Sequence, residues 1–432
     1  MKILLYTRPH TKEYLYSIAK NIDQSVMIES VSDFKGDGDF WMGDFLYTNT
    51  ISENLYFNEN ELYDIINRCR YLRTLSYEMA SKLITNYACG INYILDRGYH
   101  FIVSEIVDNY CMDIIYREAT KRNIKVIAPM GTFIDGYMRF TVKGEVEELQ
   151  RNVSDEEVSD VLDKLLSNHF KGRVGGLGYS NENKRYYYFY RRILIEKIYN
   201  PLRRVVTKDR NNSLYNTYLY NSINVKKYLG KKVKRNFIDL DNFVFQDNDV
   251  YFPLHCTPEA TTDYFCDSSK FGYYEETILE FLSNSTKNVR YLVKEHPTMY
   301  GIRKLDFYEN MKTFENVVLL NPFDDSNTIL QNINTVVVCT GSIGVESLIR
   351  NKRVMCLSSN YYSSIHPNAH VIKYLSDEEL NLPIVEYDNR LFMKKLLSFH
   401  VPIQMYSYDQ IMKTDFNLLG KYIREYFIYE KV

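Results

Sequence analysis

Short apolar runs alternate with helical stretches throughout residues 250–357, and this alternation constrains the fold more than any other feature. Strands are predicted at 250–254, 289–293, 317–320, 335–339 and 354–357, with helices at 273–282, 324–331 and 343–350. Strands that alternate with helices through short loops form a parallel sheet covered on both faces. The sequence therefore predicts a doubly wound, Rossmann-like domain in the C-terminal half.

The N-terminal part shows the same alternation. Strands are predicted at 2–6, 99–104 and 124–129, and helices at 12–22, 61–95 and 109–122. A chain of 432 residues is too long for one ordinary core, so two domains are expected. The predicted divisions are an α/β domain over 1–183, a basic aromatic helical linker or insertion over 184–245, a Rossmann-like domain over 246–405, and a C-terminal helix in 406–432 that can pack back on the first domain.

A strongly basic segment separates the two predicted domains. Residues 184–235 contain fifteen Lys or Arg and two acidic residues, a local charge of +13 in a chain whose net charge is −2. Aromatic and aliphatic residues are interleaved with the charges. A solvated helical bridge between domains and a helix drawn to anionic lipid both fit this pattern. Nucleic acid is not expected as a partner, because no nucleic-acid-binding motif accompanies the charge.

Cysteine usage and hydropathy bear on location and on metals. The seven cysteines are scattered without a CxxC pair, which favours neither a zinc site nor a disulfide framework and suits a reducing cytoplasm. The first residues are too briefly apolar for a signal segment, and no run approaches the roughly 20 apolar residues that cross a bilayer. We therefore expect a cytoplasmic protein that can bind to the inner face of the membrane, and no cofactor is expected. No metal is expected, because no Asp-x-Asp motif ends a strand.

Polar residues follow four of the five predicted strands of the C-terminal sheet at the point where each ends. His255 and Glu259 follow the first strand, residues 294–297 the second, residues 340–346 the strand at 335–339, and residues 358–362 the strand at 354–357. Ligands of open parallel sheets bind beyond the carboxyl ends of the strands, so these loops predict one binding site. The expected binding residues are Lys294, His296, Pro297, Thr340, Gly341, Ser342, Ile343, Gly344, Glu346 and Tyr361.

The loop at 340–346 is the most informative of these. Small residues at a strand-to-helix turn expose backbone N–H groups to an anion such as phosphate, and Glu346 can accept hydrogen bonds from ribose hydroxyls. A helix cap with a glycine used for close packing is the alternative. The loop lacks both the P-loop spacing and GxGxxG, which disfavours kinases and dehydrogenases.

Three segments together resemble bacterial capsule polysaccharide biosynthesis proteins. They are Phe-Pro-Leu-His-Cys-Thr-Pro-Glu-Ala-Thr-Thr at 252–262, Lys-Glu-His-Pro at 294–297, and Thr-Gly-Ser-Ile-Gly-Val-Glu-Ser-Leu at 340–348. That family consists of GT-B glycosyltransferases, best understood as retaining Kdo transferases that use CMP-Kdo. The resemblance covers residues 250–360. It implies two Rossmann-like domains that face a central cleft, and a nucleotide-phosphate site at His296 and residues 340–344.

The family carries Gln-Val-x-x-Asp after the first strand of its C-terminal domain. Here His255 stands in place of the Gln and Glu259 in place of the Asp, whose carboxylate the family uses in retaining chemistry. By this resemblance Glu259 is a nucleophile or an ion-pair stabiliser of an oxocarbenium-like centre. Because both ends of the motif differ, the resemblance implies the fold and the reaction class rather than Kdo itself.

The N-terminal domain is expected to bind the acceptor. His10 follows the first strand, and Glu105 follows the strand at 99–104. Either side chain can act as the general base.

The predicted function is transfer of a sugar from a nucleotide donor, expected to be CMP-linked, to a cell-surface polysaccharide or glycolipid acceptor. A teichoic-acid-type phosphotransferase that uses a CDP-alcohol is an alternative, although those enzymes carry Asp-Tyr-Ser-Ser in the later loop. A nucleotide-sugar epimerase and a non-catalytic scaffold subunit of a glycan assembly complex also remain open. The expected partners are the nucleotide-sugar donor, the glycan acceptor and an anionic membrane surface contacted through 184–235.

Overall fold

The computed structural model describes residues 1–46, 56–149, 151–167, 198, 200–207, 234–301, 303–406 and 408–428. These residues form two compact units. The first holds the described residues up to 152, those between 198 and 207, and those from 398 onward. The second holds 153–167 and the described residues from 234 to 397. Most of the basic segment 184–235 lies outside the described residues.

Fourteen strands are present among the described residues. They are β1 (Lys2–Thr7), β2 (Met27–Ser32), β3 (Phe40–Trp41), β4 (Phe101–Val103), β5 (Lys125–Ile127), β6 (Pro129–Gly131), β7 (Met138–Phe140), β8 (Asp249–Pro253), β9 (Arg290–Lys294), β10 (Val317–Leu320), β11 (Thr335–Val338), β12 (Arg353–Cys356), β13 (Ala369–Val371) and β14 (His400–Val401).

The α-helices of the described residues are α1 (Lys12–Ile22), α2 (Gly43–Leu46), α3 (Glu59–Arg68), α4 (Tyr77–Leu95), α5 (Tyr110–Lys121), α6 (Asp155–Leu166), α7 (Asn200–Thr207), α8 (Ala260–Asp263), α9 (Tyr274–Asn284), α10 (Leu305–Met311), α11 (Ser326–Asn332), α12 (Ile343–Leu348), α13 (Asp377–Leu380), α14 (Asn389–Leu397) and α15 (Phe416–Ile423). A π-helical turn, Arg424–Ile428, follows α15.

The predicted helix at 61–95 is two helices. Asn58 and Glu61 form a capping box at the start of α3. The helix ends at Arg68, and the backbone of the next residue, Cys69, is extended. Helix α4 begins after Ser76, whose hydroxyl accepts a hydrogen bond from the N–H of Met79. Apolar residues keep a helical spacing between α3 and α4, and for this reason the sequence predicts a single helix.

Both units contain a parallel sheet, which confirms the predicted α/β class with two Rossmann-like folds. The first sheet has the order β3-β2-β1-β4-β5 and the second has the order β10-β9-β8-β11-β12-β13. All strand pairs within these two sheets are parallel. In each sheet the chain starts in the middle, moves outward one way, and then returns to the other side of the first strand. The first unit thus has one topological switch point, between β1 and β4, and the second has one between β8 and β11.

Buried apolar side chains explain why these strands assemble. Ile3 and Leu5 of β1 and Phe101 of β4 belong to one apolar cluster, into which α1 packs its buried face. In the second unit, Val250, Phe252 and the inner residues of β9 and β11 form a separate cluster. Most of these side chains are fully buried, and such burial is the main favourable contribution to folding.

The last described helix packs on the first one. Tyr14 of α1 and Phe416 of α15 lie with ring centroids 5.6 Å apart. Gly420 approaches α1 so closely that a β-carbon at this position would lie 2.2 Å from the carbonyl oxygen of Asn21. The approach therefore requires glycine at position 420.

The chain passes between the units at different points from those expected. Helix α6 precedes residue 183 but packs on α14 in the second unit, where Arg390 donates to the hydroxyl of Ser159. Strand β14 precedes residue 405 but pairs antiparallel with β7, in a three-stranded sheet with β6. Both differences arise from pairings between residues more than 200 positions apart, for which the local pattern gives no signal.

Candidate functional site

The switch point of the second sheet brings two predicted loops together. Strands β8 and β11 are adjacent and parallel, with Val250 opposite Thr335 and Tyr251 opposite Val336. The loops that carry His255 and Thr340 therefore begin side by side at the carboxyl edge. Strand β9 lies on the other side of β8, so residues 294–297 end at the same edge. The sequence-predicted loops thus converge on one place in the second unit.

His255 connects the two loops at the switch point. Its Nε2 accepts a hydrogen bond from the backbone N–H of Thr340 at 3.2 Å, and lies 3.4 Å from the Thr340 hydroxyl oxygen. The Thr340 hydroxyl also donates to the carbonyl oxygen of Thr261 at 3.1 Å. Gly341 lies close by, where an added β-carbon would come 3.3 Å from the same Nε2. Because Nε2 accepts from a backbone amide, the proton of the neutral ring is on Nδ1.

The environment of His255 keeps its ring neutral. Burial, reinforced by the nearby His296 and Arg303, lowers the pKa of His255 to about 3. The backbone N–H of His255 donates to the Tyr274 hydroxyl oxygen at 2.9 Å, which fixes the start of the loop. A ring that is uncharged near neutral pH and accepts from a backbone amide is suited to hold a loop rather than to exchange protons.

Glu295, within the Lys-Glu-His-Pro segment, is part of a buried ion pair. Its carboxylate accepts from Arg303 Nε at 2.6 Å, from the Tyr308 hydroxyl at 2.7 Å and from the N–H of His296 at 2.6 Å. Arg303 is 1% exposed and Glu295 is also 1% exposed. Neither Arg303 nor Tyr308 was predicted from the sequence. The one available signal is Glu295 itself, since an acidic residue at the end of a buried strand needs a buried cationic partner.

His296 and Lys294 flank Glu295 and differ in their contacts. Nδ1 of His296 accepts from the N–H of Thr298 at 3.3 Å, so the neutral ring carries its proton on Nε2. Pro297 begins the 3₁₀ helix Pro297–Met299. Burial lowers the pKa of Lys294 to about 8, although Asp324 and Asp325 act in the opposite direction. The segment thus supplies an imidazole N–H and a titratable ammonium group at the sheet edge.

The loop at 340–346 leads into α12, which is only six residues long. Gly344 has a packing role, since a β-carbon there would lie 2.3 Å from the hydroxyl oxygen of Tyr362. That hydroxyl donates to the carbonyl of Gly341 at 2.9 Å and so holds the loop. Tyr361 is largely buried, with its ring edge-on to Tyr362. The loop at 340–346 was also interpreted as a helix cap with a glycine used for close packing. That interpretation applies to Gly344.

Three more residues of this loop lie at the same edge. Ile343 begins α12, and Ser342 precedes it without a side-chain cap to the helix. The Ser342 hydroxyl donates to Glu346 at 3.5 Å, and burial raises the pKa of the Glu346 carboxyl despite Arg350 nearby.

Glu259 precedes the short helix α8. Its carboxylate accepts from the Thr261 hydroxyl at 2.8 Å, and its own carbonyl accepts from the Thr262 hydroxyl at 3.0 Å. The peptide bond between Thr257 and Pro258 is cis. Because the carbonyl of Thr261 accepts from Thr340, the Glu259 turn is connected directly to the loop after β11.

The switch point of the first sheet carries its own polar cluster. Nε2 of His10, which follows β1, lies 3.7 Å from a carboxylate oxygen of Glu105, which follows β4. Arg8 is buried beside them and contacts Asp108 at 3.1 Å and Asp33 at 3.5 Å. The structure therefore brings the two predicted acceptor-side residues together. Arg8 and Asp33 were not predicted from the sequence. Asp33 follows β2, a strand with three polar residues among six that the apolar pattern does not reveal.

Neither the ends of the strands nor the rest of the described chain forms a metal-binding cluster. Within the residues that the structure describes, no group of three or more His, Cys, Asp or Glu is arranged to hold a metal ion. The same described residues include no helix that is both long enough and apolar enough to cross a membrane.

Fold and site together define a class of α/β protein with two Rossmann-like units, in which polar loops gather at the switch point of each parallel sheet. Residues 210–365 match the family described as capsule polysaccharide biosynthesis protein. The match spans about a third of the chain and includes the loops after β8, β9 and β11. It confirms the resemblance to that family inferred from the three sequence segments.

Solved structures with a similar backbone fold have low sequence identity to this chain. KpsC from Thermosulfurimonas dismutans, a beta Kdo 2,7 transferase, is 10% identical over 94% of this chain and 92% of that chain, with a TM-score of 0.37. The UDP-GlcNAc 2-epimerase from Methanocaldococcus jannaschii is 11% identical over 91% of each chain, with a TM-score of 0.25. At these TM-scores neither structure supports a conclusion about the activity of this chain. No curated protein matches the chain significantly.

Proposed function

We propose that the protein transfers a sugar from a nucleotide-linked donor to a cell-surface polysaccharide or glycolipid. The observation that carries this proposal is the hydrogen bond between His255 and Thr340, which joins the loops after β8 and β11 at the switch point. Open parallel sheets bind their ligands at this position. The match of residues 210–365 to capsule polysaccharide biosynthesis proteins supports the same reaction class.

In this proposal the second unit holds the donor. The ammonium of Lys294, the Nε2–H of His296 and the hydroxyl of Ser342 bind the phosphate, and Thr340 holds the loop in place through its contacts with His255 and Thr261. Because α12 has only six residues, we ascribe anion binding to these individual donors and to loop N–H groups rather than to a helix dipole. Glu346 accepts from ribose hydroxyls. We expect CMP to be the nucleotide, from the resemblance of the loop sequences to CMP-Kdo enzymes.

The reaction breaks the anomeric C–O bond of the donor, and the bonding electron pair stays on the phosphate oxygen. An acceptor hydroxyl forms the new bond to the anomeric carbon, and its proton passes to a base. Glu259 lies on the same connected loops as His255 and is assigned the role of nucleophile or ion-pair stabiliser of the positively charged anomeric centre. His255 holds its loop in place.

The first unit is proposed to bind the acceptor. His10 and Glu105 lie 3.7 Å apart at the switch point of its sheet, and a carboxylate beside an imidazole is a suitable general base for a sugar hydroxyl. Asp108 and Arg8 next to them supply further acceptors and donors for hydroxyl groups.

Ligand binding tests the donor site directly. In a thermal-shift panel of CMP, CDP, UDP and GDP, we expect CMP to stabilise the wild-type protein most, because a ligand that binds only the folded state raises its stability. Stabilisation by none of the four nucleotides would refute the donor site. Glu259→Gln should then abolish transfer while CMP still binds. Unchanged transfer by this variant would remove Glu259 from the chemistry, and donor turnover without an acceptor would indicate an epimerase.

We also propose that the basic segment contacts anionic lipid at the inner face of the membrane. Within it, α7 exposes Leu202, Val205 and Val206 at 60%, 75% and 74% of their surface. Apolar side chains beside Arg203 and Arg204 are typical of helices that lie in a membrane interface. The protein should co-sediment with vesicles that contain phosphatidylglycerol but not with phosphatidylcholine alone. R203E/R204E should lose this binding, and co-sedimentation of that variant with the phosphatidylglycerol vesicles to the same extent as wild type would contradict the proposal.

A further inference from the structure

The carboxyl ends of β8 and β9 are joined by one buried guanidinium. Arg303 donates from Nη2 to the carbonyl of His255 at 2.7 Å and from Nη1 to the hydroxyl of Thr257 at 3.1 Å. Its Nε donates to Glu295 at 2.6 Å. One side chain therefore contacts both the loop after β8 and the first residue after β9.

Aromatic rings enclose the same guanidinium. The ring centroids of Tyr274 and Phe307 lie 5.3 Å and 5.4 Å from its central carbon. The Tyr274 hydroxyl in turn accepts from the N–H of His255. His255 is thus held on both backbone sides, at its N–H by Tyr274 and at its carbonyl by Arg303. These two contacts fix the backbone from which the side chain of His255 reaches Thr340.

A stabilising role alone does not explain this arrangement. Removing two charges from water costs several kcal/mol, and a well-packed apolar group of equal volume is often at least as stable as a buried ion pair. A guanidinium has five N–H donors in a rigid plane, so it fixes the relative positions of its acceptors. Here those acceptors belong to the two loops that carry His255 and His296.

We infer that Arg303 is a positioning residue for the donor site, which sets the loops after β8 and β9 at the distance that nucleotide binding requires. This inference rests on the proposed function. It assigns no contact between Arg303 and the ligand, because the guanidinium is buried behind the loops that it connects.

The same two strands supply a matched control at their other end. Asp249 of β8 lies opposite Arg290 of β9 in the register, and the pair makes hydrogen bonds of 2.7 Å and 2.8 Å. Like Arg303 and Glu295, Asp249 and Arg290 form an arginine–carboxylate pair at one end of β8 and β9. Unlike them, they lie at the amino edge, away from the switch point.

The test compares R303K and T257V with R290K. R303K keeps the charge but loses the planar set of donors, and T257V removes one acceptor of the guanidinium without removing the ion pair. We expect R303K to weaken CMP binding about tenfold and T257V about threefold, both measured by calorimetry on folded protein. R290K should lower the melting temperature and leave CMP affinity within about twofold of wild type.

Hydrogen exchange gives a readout that does not depend on the ligand. The peptide containing Thr340 should exchange faster in R303K and T257V than in R290K, because the acceptor on His255 is no longer held in place. Wild-type CMP affinity and wild-type exchange in T257V, or in a folded R303K, would overturn the inference.

The two proposals fail in different ways. If the wild-type protein does not bind CMP, the donor assignment fails, and the exchange of the Thr340 peptide still decides whether Arg303 positions the loop. If R303K does not fold, T257V decides the question, since it leaves the contact between Arg303 and Glu295 intact.

Discussion

The Nε2 of His255 accepts the backbone N–H of Thr340 across the switch point of the second sheet, at 3.2 Å. One side chain thereby fixes the position of a loop whose own residues are mostly small. His255, one of the two motif positions that differ from the resembled capsule family, is thus the residue that makes this contact. Both residue types offer an acceptor to an amide N–H, so the contact can survive the difference.

This contact predicts an order among variants of His255. His255→Ala leaves the amide of Thr340 without its acceptor, at a cost of about 1–3 kcal/mol in the free energy of unfolding. His255→Gln keeps an acceptor and should lose less stability. CMP affinity should follow the same order, measured by calorimetry beside chemical denaturation. Equal losses in both variants would show that imidazole shape, rather than its acceptor, is required.

His255 also predicts how stability depends on pH. Its pKa is about 3 in the folded protein and 6.5 in the unfolded chain. Between these values the unfolded chain binds the extra proton, so this residue lowers stability as pH falls from about 6.5 toward 3. The free energy of unfolding should therefore decline less with acid in His255→Gln than in wild type. Parallel declines in urea denaturation at pH 7 and pH 5 would refute the assigned shift.

Lys294 predicts a limit to nucleotide binding at alkaline pH. Burial lowers its pKa to about 8, so the ammonium is charged at pH 7 and largely neutral at pH 9. If it binds phosphate, CMP affinity should fall about tenfold over this interval, since hydrogen bonds to charged groups contribute about 1.5–3 kcal/mol. In the folded protein without ligand, the same shift makes stability rise between pH 8 and 10.5, as the unfolded chain alone keeps the proton.

Two variants separate Lys294 from other groups that titrate. Lys294→Met should bind CMP weakly at pH 7 and show little further change by pH 9. Lys312→Met, which removes a lysine of the same unit outside the loops, should keep the wild-type pH profile. A wild-type profile in Lys294→Met would assign the titration to another residue.

Gly344 predicts a stability effect that reaches the binding loop. A methyl group at this position meets the Tyr362 hydroxyl at 2.3 Å, so Gly344→Ala should lower the free energy of unfolding by about 1–3 kcal/mol. Gly341→Ala should cost less, because its nearest neighbour is 3.3 Å away. Denaturation curves of the two variants test the order. Equal stability of Gly344→Ala and wild type would show that Tyr362 moves without cost.

The acceptor side gives a prediction for Glu105. Its loss should reduce transfer about 10²-fold or more if the carboxylate takes part in general base catalysis. Glu105→Gln should still be stabilised by CMP as well as wild type, because its unit is proposed not to bind the donor. Glu13→Gln, an exposed carboxylate on α1 in the same unit, is the control and should retain activity. Wild-type turnover by Glu105→Gln would leave His10 as the base.

The parallel sheets were largely predictable because their strands are short apolar runs that the local pattern reveals. β2 was missed because it contains Glu29 and Ser30 among its apolar residues. β14 was missed because its partner Arg139 lies far away in sequence.

The site was predictable to the extent that it lies on strand ends. Sheet topology fixes where residues after parallel strands converge, so His255 and Thr340 could be expected together. Arg303 could not, because it lies outside any helix or strand and its burial depends on Glu295 and on the loop after β8. Contacts made by residues outside helices and strands produce no periodic pattern of apolar residues, so the sequence does not reveal them.

The packing of α15 on α1 has a consequence for synthesis on the ribosome. The first unit includes residues that precede the second unit in the chain and residues 398–428, which follow it. Helix α7 also belongs to the first unit, although it lies between the two segments of the second. The second sheet can therefore assemble while translation continues. The apolar face of α1, including Leu15 and Ile18, stays uncovered by α15 until residues 416–423, which follow the second unit, have emerged. The unit that is translated first is thus the last to be completed.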